Sequence, residues 1–249
     1  MARPLYVETL VRCDVDRLWD LTQAPDQHPR WDLRFSQIRP TSVDAVGNQH
    51  FRYALSLPHP RAAVLTVTGT GISVGERRDT HGRGTSALRF FPHDRLSPLG
   101  AGAGYWRYVP TPTGVRFLTG YDYAPGWGAL GRVLDPVLVR PAVGWATAWS
   151  FDRLRLWAEH GVDPAVARRS ALVDAAVRVA AMGLGAAAVV RGAGPLAAVG
   201  AGAIACAVAA PVGRRTPSAR RCLRRPPDAA SAAAPESLST LPAPEGRAP

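Results

Sequence analysis

The chain contains no lysine: all 30 of its basic residues are arginine. Such uniformity reflects composition as much as chemistry, and no function is read from it. Cysteine is nearly absent, with only Cys13, Cys206 and Cys222. An odd count without CxxC spacing argues against a disulfide framework and for a reducing compartment. The opening residues, MARPLYVETLVRC, lack the apolar run of a signal peptide, because Glu8 and Arg12 interrupt them. The six histidines, His28, His50, His59, His81, His93 and His160, form no HExxH, HxH or His/Cys cluster. No metal is expected. GTGISVG at 69–75 misses the dinucleotide fingerprint by a residue, LGAGAGYW has no P-loop lysine, and no G-x-S-x-G occurs. No cofactor is expected either. The strand glycines of 69–75 read as a bend or bulge.

What is present falls into segments. The 249 residues suffice for one domain and an appendage. Residues 1–160 have mixed charge, many aromatics and turn signals. Residues 161–170 read as a linker, and 171–212 are dominated by Ala, Gly and Val. Residues 213–249 have the Pro, Ala, Ser and Arg content of a disordered tail. Net charge is +11, and six arginines crowd into 214–225. A local partner for that cluster is implied.

Within the first segment, VETLVR alternates as a strand. DVDRLWDLTQ follows as a helix, with Asp14 as N-cap and Val15, Leu18, Trp19 and Leu21 at helical spacing. PDQHPRWD allows only a short turn of helix. Strands follow at FSQIRPTS, HFRYALSL, AVLTVTGTGISV, TSALRFF, GYWRYVP and GVRFLTGYDY. In HFRYALSL, Phe51, Tyr53, Leu55 and Leu57 share one face and Arg52, Ala54 and Ser56 the other. The stretch from Gly104 to Trp127 holds seven of the nineteen aromatic residues, most with an apolar body and a polar tip. Thr111-Pro112-Thr113-Gly114 marks a turn, which would set Tyr108 opposite Phe117 and Trp106 opposite Thr119, with Tyr121 and Tyr123 on the same face. Asp122 then faces the other way, toward an arginine such as Arg107. Beyond this hairpin, Pro136 and Pro141 predict a kinked or two-part helix. Its second half places Trp145, Trp149 and Leu156 on one stripe, with an Arg155–Glu159 pair outside.

Three motifs in this order resemble the START-like (SRPBCC) superfamily: DVDRLWDLTQAPDQHPRWD, the GYWRYVPTPTGVRFLTGYDY hairpin, and GWATAWSFDRLRLW. The resemblance covers roughly residues 3–160. It implies an α+β helix-grip fold, a curved antiparallel sheet around a long C-terminal helix, with an apolar cavity between them. Members bind lipids, sterols, polyketides and other hydrophobic ligands, and some are cyclases or aromatases. The aromatic set then becomes a cavity wall: Phe51, Tyr53, Trp106, Tyr108, Phe117, Tyr121, Tyr123, Trp145 and Trp149. No acid/base constellation stands out. His28 and Asp122 are the weak catalytic candidates, and their ordinary roles are packing a turn and pairing with an arginine.

The stretch WAEHGVDPAVARRSALVDAAVRVAAMGLGAAAVVRGAGP, mostly after residue 160, resembles the linker and first membrane helix of DoxX-like proteins. Those usually carry four membrane helices, where this chain has room for two. Residues 171–190 and 192–212 are long enough for spans of about 20 residues, and the first contains Asp174 and Arg178 four apart. Their small residues suit a close helical hairpin. Arg168 and Arg169 before it, and the arginines of 214–225 after it, place the domain and the tail in the cytoplasm. The expected partners are a hydrophobic small molecule or lipid and a membrane. No nucleic acid is expected, because no fold element or interleaved aromatics support the basic cluster. The sequence thus reads as a membrane-anchored binder of a hydrophobic molecule at the cell membrane. Rival readings are a cyclase/dehydratase-type enzyme on a polyketide-like substrate, and a scaffold with a filled core.

Overall fold

The computed structural model describes residues 3–59, 62–76, 82–192 and 194–244. His81 lies outside them, as do the side chains of 57–59, 62–64 and 76. Seven strands form one antiparallel sheet: β1 (Leu5–Val11), β2 (Gln37–Val43), β3 (Gln49–His59), β4 (Ala62–Glu76), β5 (Gly84–Pro92), β6 (Leu99–Thr111) and β7 (Gly114–Pro125). Their spatial order is β1-β7-β6-β5-β4-β3-β2. Between β1 and β2 lie α1 (Val15–Gln23) and the single turn α2 (His28–Trp31). After β7 come α3 (Gly128–Leu134), a π-helical turn at Asp135–Val139, and α4 (Arg140–His160). This is the helix-grip arrangement.

The β6–β7 hairpin has the register its turn residues predict: Thr111 pairs with Gly114, Tyr108 with Phe117, and Trp106 with Thr119. Gly114 has a φ of +137°, a conformation glycine adopts readily, and a Cβ there would strike the Val11 carbonyl. Trp106, Tyr108, Val115 and Phe117 on the concave face meet Ala148, Trp149, Phe151 and Leu154 of α4, together with Val7, Val11, Leu18 and Trp31. Phe117 stacks on Phe151 with ring centroids 4.6 Å apart. Burial of one such large side chain contributes about 1.5–3 kcal/mol, so this cluster anchors helix to sheet. Asp14 occupies the N-cap position of α1, but its side chain makes no capping bond.

The strand glycines of 69–75 do not mark bulges. Gly69 and Gly71 keep continuous register with both neighbours, Tyr53 standing opposite Gly69 and Phe51 opposite Gly71. The aromatic rings lie flat over these glycines, and Phe90 over Gly102 repeats the pattern. The two-part helix that Pro136 and Pro141 predict takes the form of α3 and α4 flanking the π turn. Pro136 cannot donate an amide hydrogen, and the chain absorbs this in the π turn while running on into α4. The Arg155–Glu159 pair forms at 2.8 Å but is not on the outside, since the Glu159 side chain is buried.

The largest departure concerns the tail. Composition predicts disorder over 213–249, yet residues 213–244 follow a defined path over the domain. Arg221 and the Ser218 amide bond the buried Asp152 carboxylate of α4 at 2.9 and 2.7 Å. Leu223 then exchanges two 2.9 Å backbone hydrogen bonds with Glu8, extending the sheet at β1. Farther on, Arg107 donates to the carbonyls of Ala230 and Ala233 at 2.8 and 2.6 Å. The short helices α7 (Ala229–Ala232) and α8 (Glu236–Thr240) cross the convex face. There Leu238 and Leu241 pack on two clusters, one of Tyr6, Tyr105 and Leu118, the other of Ile72 and Ala87. The tail has too little apolar surface to fold alone. The sheet supplies what it lacks, namely guanidinium and hydroxyl donors for its carbonyls and an apolar bed for two leucines.

Between α4 and the tail stand α5 (Pro164–Arg191) and α6 (Pro195–Ala209). Asp163 caps α5 by accepting from the Ala165 amide at 2.7 Å. The first turns of α5 touch the domain, where Pro164 and Ala167 are buried. α5 is long and apolar enough to cross a membrane, with mean hydropathy 1.7 over its apolar window. α6 has 15 residues rather than the 21 expected of a second span. At 1.5 Å per residue it is about 22 Å long, short of a hydrocarbon core of about 30 Å. The two helices cross at Gly185 and Gly200, each so close to the other's carbonyl that a Cβ would clash. Arg178 pairs with Asp174 at 2.7 Å and donates to the Ala207 carbonyl at 2.6 Å.

Candidate functional site

The concave face has a closed half and an open half. Under α4 the aromatic residues are sealed. Tyr108 and Phe117 are fully buried, and Trp106 and Trp149 nearly so. The tyrosine hydroxyls on this side are met by protein rather than left for a ligand. Tyr108 Oη lies 2.6 Å from Thr22 Oγ1 and accepts from Gln23 Nε2 at 2.8 Å. Tyr121 Oη lies 2.7 Å from Thr147 Oγ1. Tyr123 Oη donates to Asp135 Oδ1 at 2.7 Å. Five of the nine expected lining residues, Tyr108, Phe117, Tyr121, Tyr123 and Trp149, therefore serve as core. Trp145 stacks on Trp149 with ring centroids 6.4 Å apart but is itself 50% exposed.

The open half lies over β2 to β5. Here Phe35, Phe51, Tyr53 and Phe90 remain half-buried. Phe35 meets Tyr53 edge-on at 5.6 Å, and Phe51 lies 6.5 Å from Tyr53. Because Phe51 and Tyr53 lie flat over Gly71 and Gly69, they form a floor instead of filling the space above it. A gap of about 50 Å³ runs from this floor to α1 and α2. Its walls include Gln23, His28, Phe51, Ser73, Ser86 and Trp106.

A buried polar cluster borders the gap. His28 Nε2 lies 3.1 Å from Asp32 Oδ2. Its ring stacks on Trp31 at 5.0 Å, edges onto Phe35 at 5.0 Å and meets Trp106 at 4.9 Å. Arg34 grips Asp32 bidentately, Nε to Oδ1 at 2.9 Å and Nη2 to Oδ2 at 2.7 Å. The guanidinium also lies 5.4 Å above the Tyr121 ring. Burial lowers the His28 pKa, and the Asp32 hydrogen bond only partly opposes it. Burial alone would push the Asp32 carboxyl up, but the Arg34 charge and the bonds from His28 and Arg34 outweigh it. The carboxyl stays below its ordinary range. At neutral pH the cluster holds a neutral imidazole against a neutralised ion pair, and the imidazole could accept a proton from a polar group brought into the gap.

Asp32 and Arg34 are absent from the sequence-based set. The signal was His28 and Asp32 at i and i+4 in HPRWD, followed by Arg34. The other catalytic candidate, Asp122, is on the opposite face as expected, but its partner differs. It accepts from Arg140 Nη1 at 2.9 Å, while Arg107 serves the tail. Arg140 also holds Asp135 at 2.9 Å. Asp122 therefore takes no part in the groove. Among the described residues no cluster of His, Cys, Asp or Glu could hold a metal ion.

No family model matches the chain. The curated Bacillus subtilis (strain 168) "Uncharacterized membrane protein YndG" is 41% identical over 172 residues, covering 69% of this chain and 63% of that protein. The chain thus spans less than two thirds of that relative's length. Among solved structures it is similar to a STAR-related lipid transfer protein from Xanthomonas axonopodis, at 17% identity and TM-score 0.44, covering 59% of this chain and 81% of that one. It is also similar to the Zhui aromatase/cyclase from Streptomyces sp. R1128, at 12% identity and TM-score 0.45, covering 64% and 97%. Similarity at this level assigns neither ligand nor activity.

Proposed function

We propose that the chain is a membrane-tethered module that takes a lipid or other hydrophobic small molecule into the open half of its concave face. The observation that carries this reading is the half-buried aromatic floor of Phe35, Phe51 and Tyr53 beside the desolvated His28–Asp32–Arg34 cluster. Half-buried aromatic surface gains about 25 cal/mol per Å² when a ligand completes its burial. The polar cluster and the hydroxyls of Ser73 and Ser86 offer bonds to a polar head.

Ligand sites for drug-sized molecules run to about 300–1,000 Å³, against the gap of about 50 Å³ here. Binding therefore requires the α1–α2 segment and β2, which form the outer wall, to move off the floor. The α5–α6 hairpin supports tethering, with an exposed apolar α5 and flanking arginines that favour a cytoplasmic domain and tail. A relative called a membrane protein agrees with it. A bilayer at hand would shorten the path from lipid to groove.

The His28–Asp32 hydrogen bond favours a second reading, a cyclase- or dehydratase-type enzyme with His28 as general base. Two substitutions separate the readings. Ser73→Phe fills the gap and abolishes both binding and turnover. His28→Gln removes the base but keeps a hydrogen-bonding side chain, so it abolishes turnover and at most weakens ligand binding. Native mass spectrometry with a panel of lipids and polyketide-like aromatics reads both effects. Unchanged ligand occupancy in Ser73→Phe would refute the groove as the site.

A further inference from the structure

The outer face of the α3–α4 junction is apolar for its whole length. Leu130, Val133, Val137, Leu138 and Trp145 are exposed by 50–72%. Their spacing, with Pro141 and Ala142 between, draws one stripe along the helix axis. From Leu130 to Trp145 the stripe is about 22 Å long at 1.5 Å per residue. Trp127 starts it and Trp145 ends it.

Charge on this face has one sign. Arg132 and Arg95, the latter next to the Leu96 whose carbonyl holds Trp127, are exposed. The acids nearby are engaged: Asp135 is buried against Tyr123 and Arg140, and Asp122 is held by Arg140. Trp127 is also fixed in position. It has a φ of 55°, uncommon for a bulky residue, and its indole Nε1 donates to the Leu96 carbonyl at 3.1 Å. Leu96 is itself exposed. The inner side of the same junction carries Val139, which packs on Tyr121 and Tyr123.

We infer that this face docks on the surface of an anionic lipid bilayer, with the stripe in the headgroup–acyl boundary and Arg95 and Arg132 among the headgroups. Tryptophans at both ends of an apolar stripe suit that boundary, and a cationic rim complements anionic lipid. The choice of lipid over a second copy of the chain rests on the reading of α5–α6 as a membrane tether, which keeps the domain beside a bilayer.

The test uses the full chain reconstituted in vesicles of phosphatidylcholine and phosphatidylglycerol with brominated acyl chains, which quench nearby tryptophan. All seven tryptophans lie between residues 19 and 157, so α5 and α6 contribute nothing to the signal. We expect quenching in the native chain, its loss in W127F/W145F, and its loss in L130E/V137E. Resistance to alkaline carbonate extraction reports the hairpin separately. Carbonate-resistant protein without bromolipid quenching overturns the docking face and leaves the tether standing. Quenching in protein that carbonate strips off overturns the tether and supports the docking face. Unquenched tryptophans together with a dimer that L130E/V137E dissociates would assign the face to a second copy and overturn the proposal.

Discussion

The ring of Phe51 lies across Gly71, its partner on β4, so that a Cβ at residue 71 would sit 2.3 Å from Phe51 Cζ. Tyr53 and Gly69 are related in the same way. These two pairs decide the shape of the open groove, because each ring is a floor only while its partner lacks a side chain. Gly71→Val therefore drives the Phe51 ring up into the gap. Overpacking of this kind costs about 1–3 kcal/mol. We expect a lower urea midpoint and loss of ligand occupancy together. A variant of native stability that still takes ligand would contradict this role for the pair.

The sheet, the hairpin register and the long final helix are legible in the sequence because each rests on local signals. These are alternation in HFRYALSL, a turn at 111–114, and a helical stripe through Trp149 and Leu156. What each aromatic faces is not legible, because it depends on where α4 lies across the sheet. Tyr108 and Phe117 fall beneath it, while Phe51 and Tyr53 fall beyond its edge. The Trp145 stripe could be assigned to a helix, but not to its outer side. The ordered tail was hidden for a different reason. Its partners are Asp152, Glu8 and Arg107, far away in sequence and individually unremarkable.

Acid sensitivity follows from the polar cluster. His28 is held below its ordinary value of 6.5 by burial, so the unfolded chain takes up a proton there before the folded one does. Asp32 is held below 3.8, because Arg34 and His28 overcome the opposing effect of burial. Both depressions have the same sign. Their stabilisation is complete above about pH 6.5 and is lost as the pH falls, through His28 first and through Asp32 below 3.8. Urea midpoints measured from neutral pH downward should fall in the native chain. In His28→Gln the first part of that fall should disappear while the lower part remains.

The tail should behave as a strap. Asp152 is fully buried and satisfies Arg155, Arg221 and the Ser218 amide. Breaking a buried ion network by removing one partner costs about 3–5 kcal/mol. Asp152→Asn should destabilise the domain by that order and expose the Ser218 and Leu223 amides to hydrogen exchange. Arg221→Ala should expose the same amides at smaller cost, since Arg155 remains on Asp152. Rapid exchange at Leu223 in the native chain would contradict an ordered strap.

The hairpin depends on its glycine crossing. A Cβ on residue 200 would lie 2.5 Å from the Gly185 carbonyl oxygen. Gly200→Leu should splay α5 from α6 and break the bond from Arg178 to the Ala207 carbonyl. A disulfide engineered between the facing helices should form readily in the native sequence and poorly in the variant, with the soluble domain unaffected.

The central claim is that the open half of the concave face binds a hydrophobic molecule. Native mass spectrometry of the chain, gently extracted from its own membranes, tests it most directly. The account predicts a stoichiometric adduct that is present in the native chain and absent in Ser73→Phe. A clean ligand-free mass that persists after incubation with total membrane lipid would contradict it.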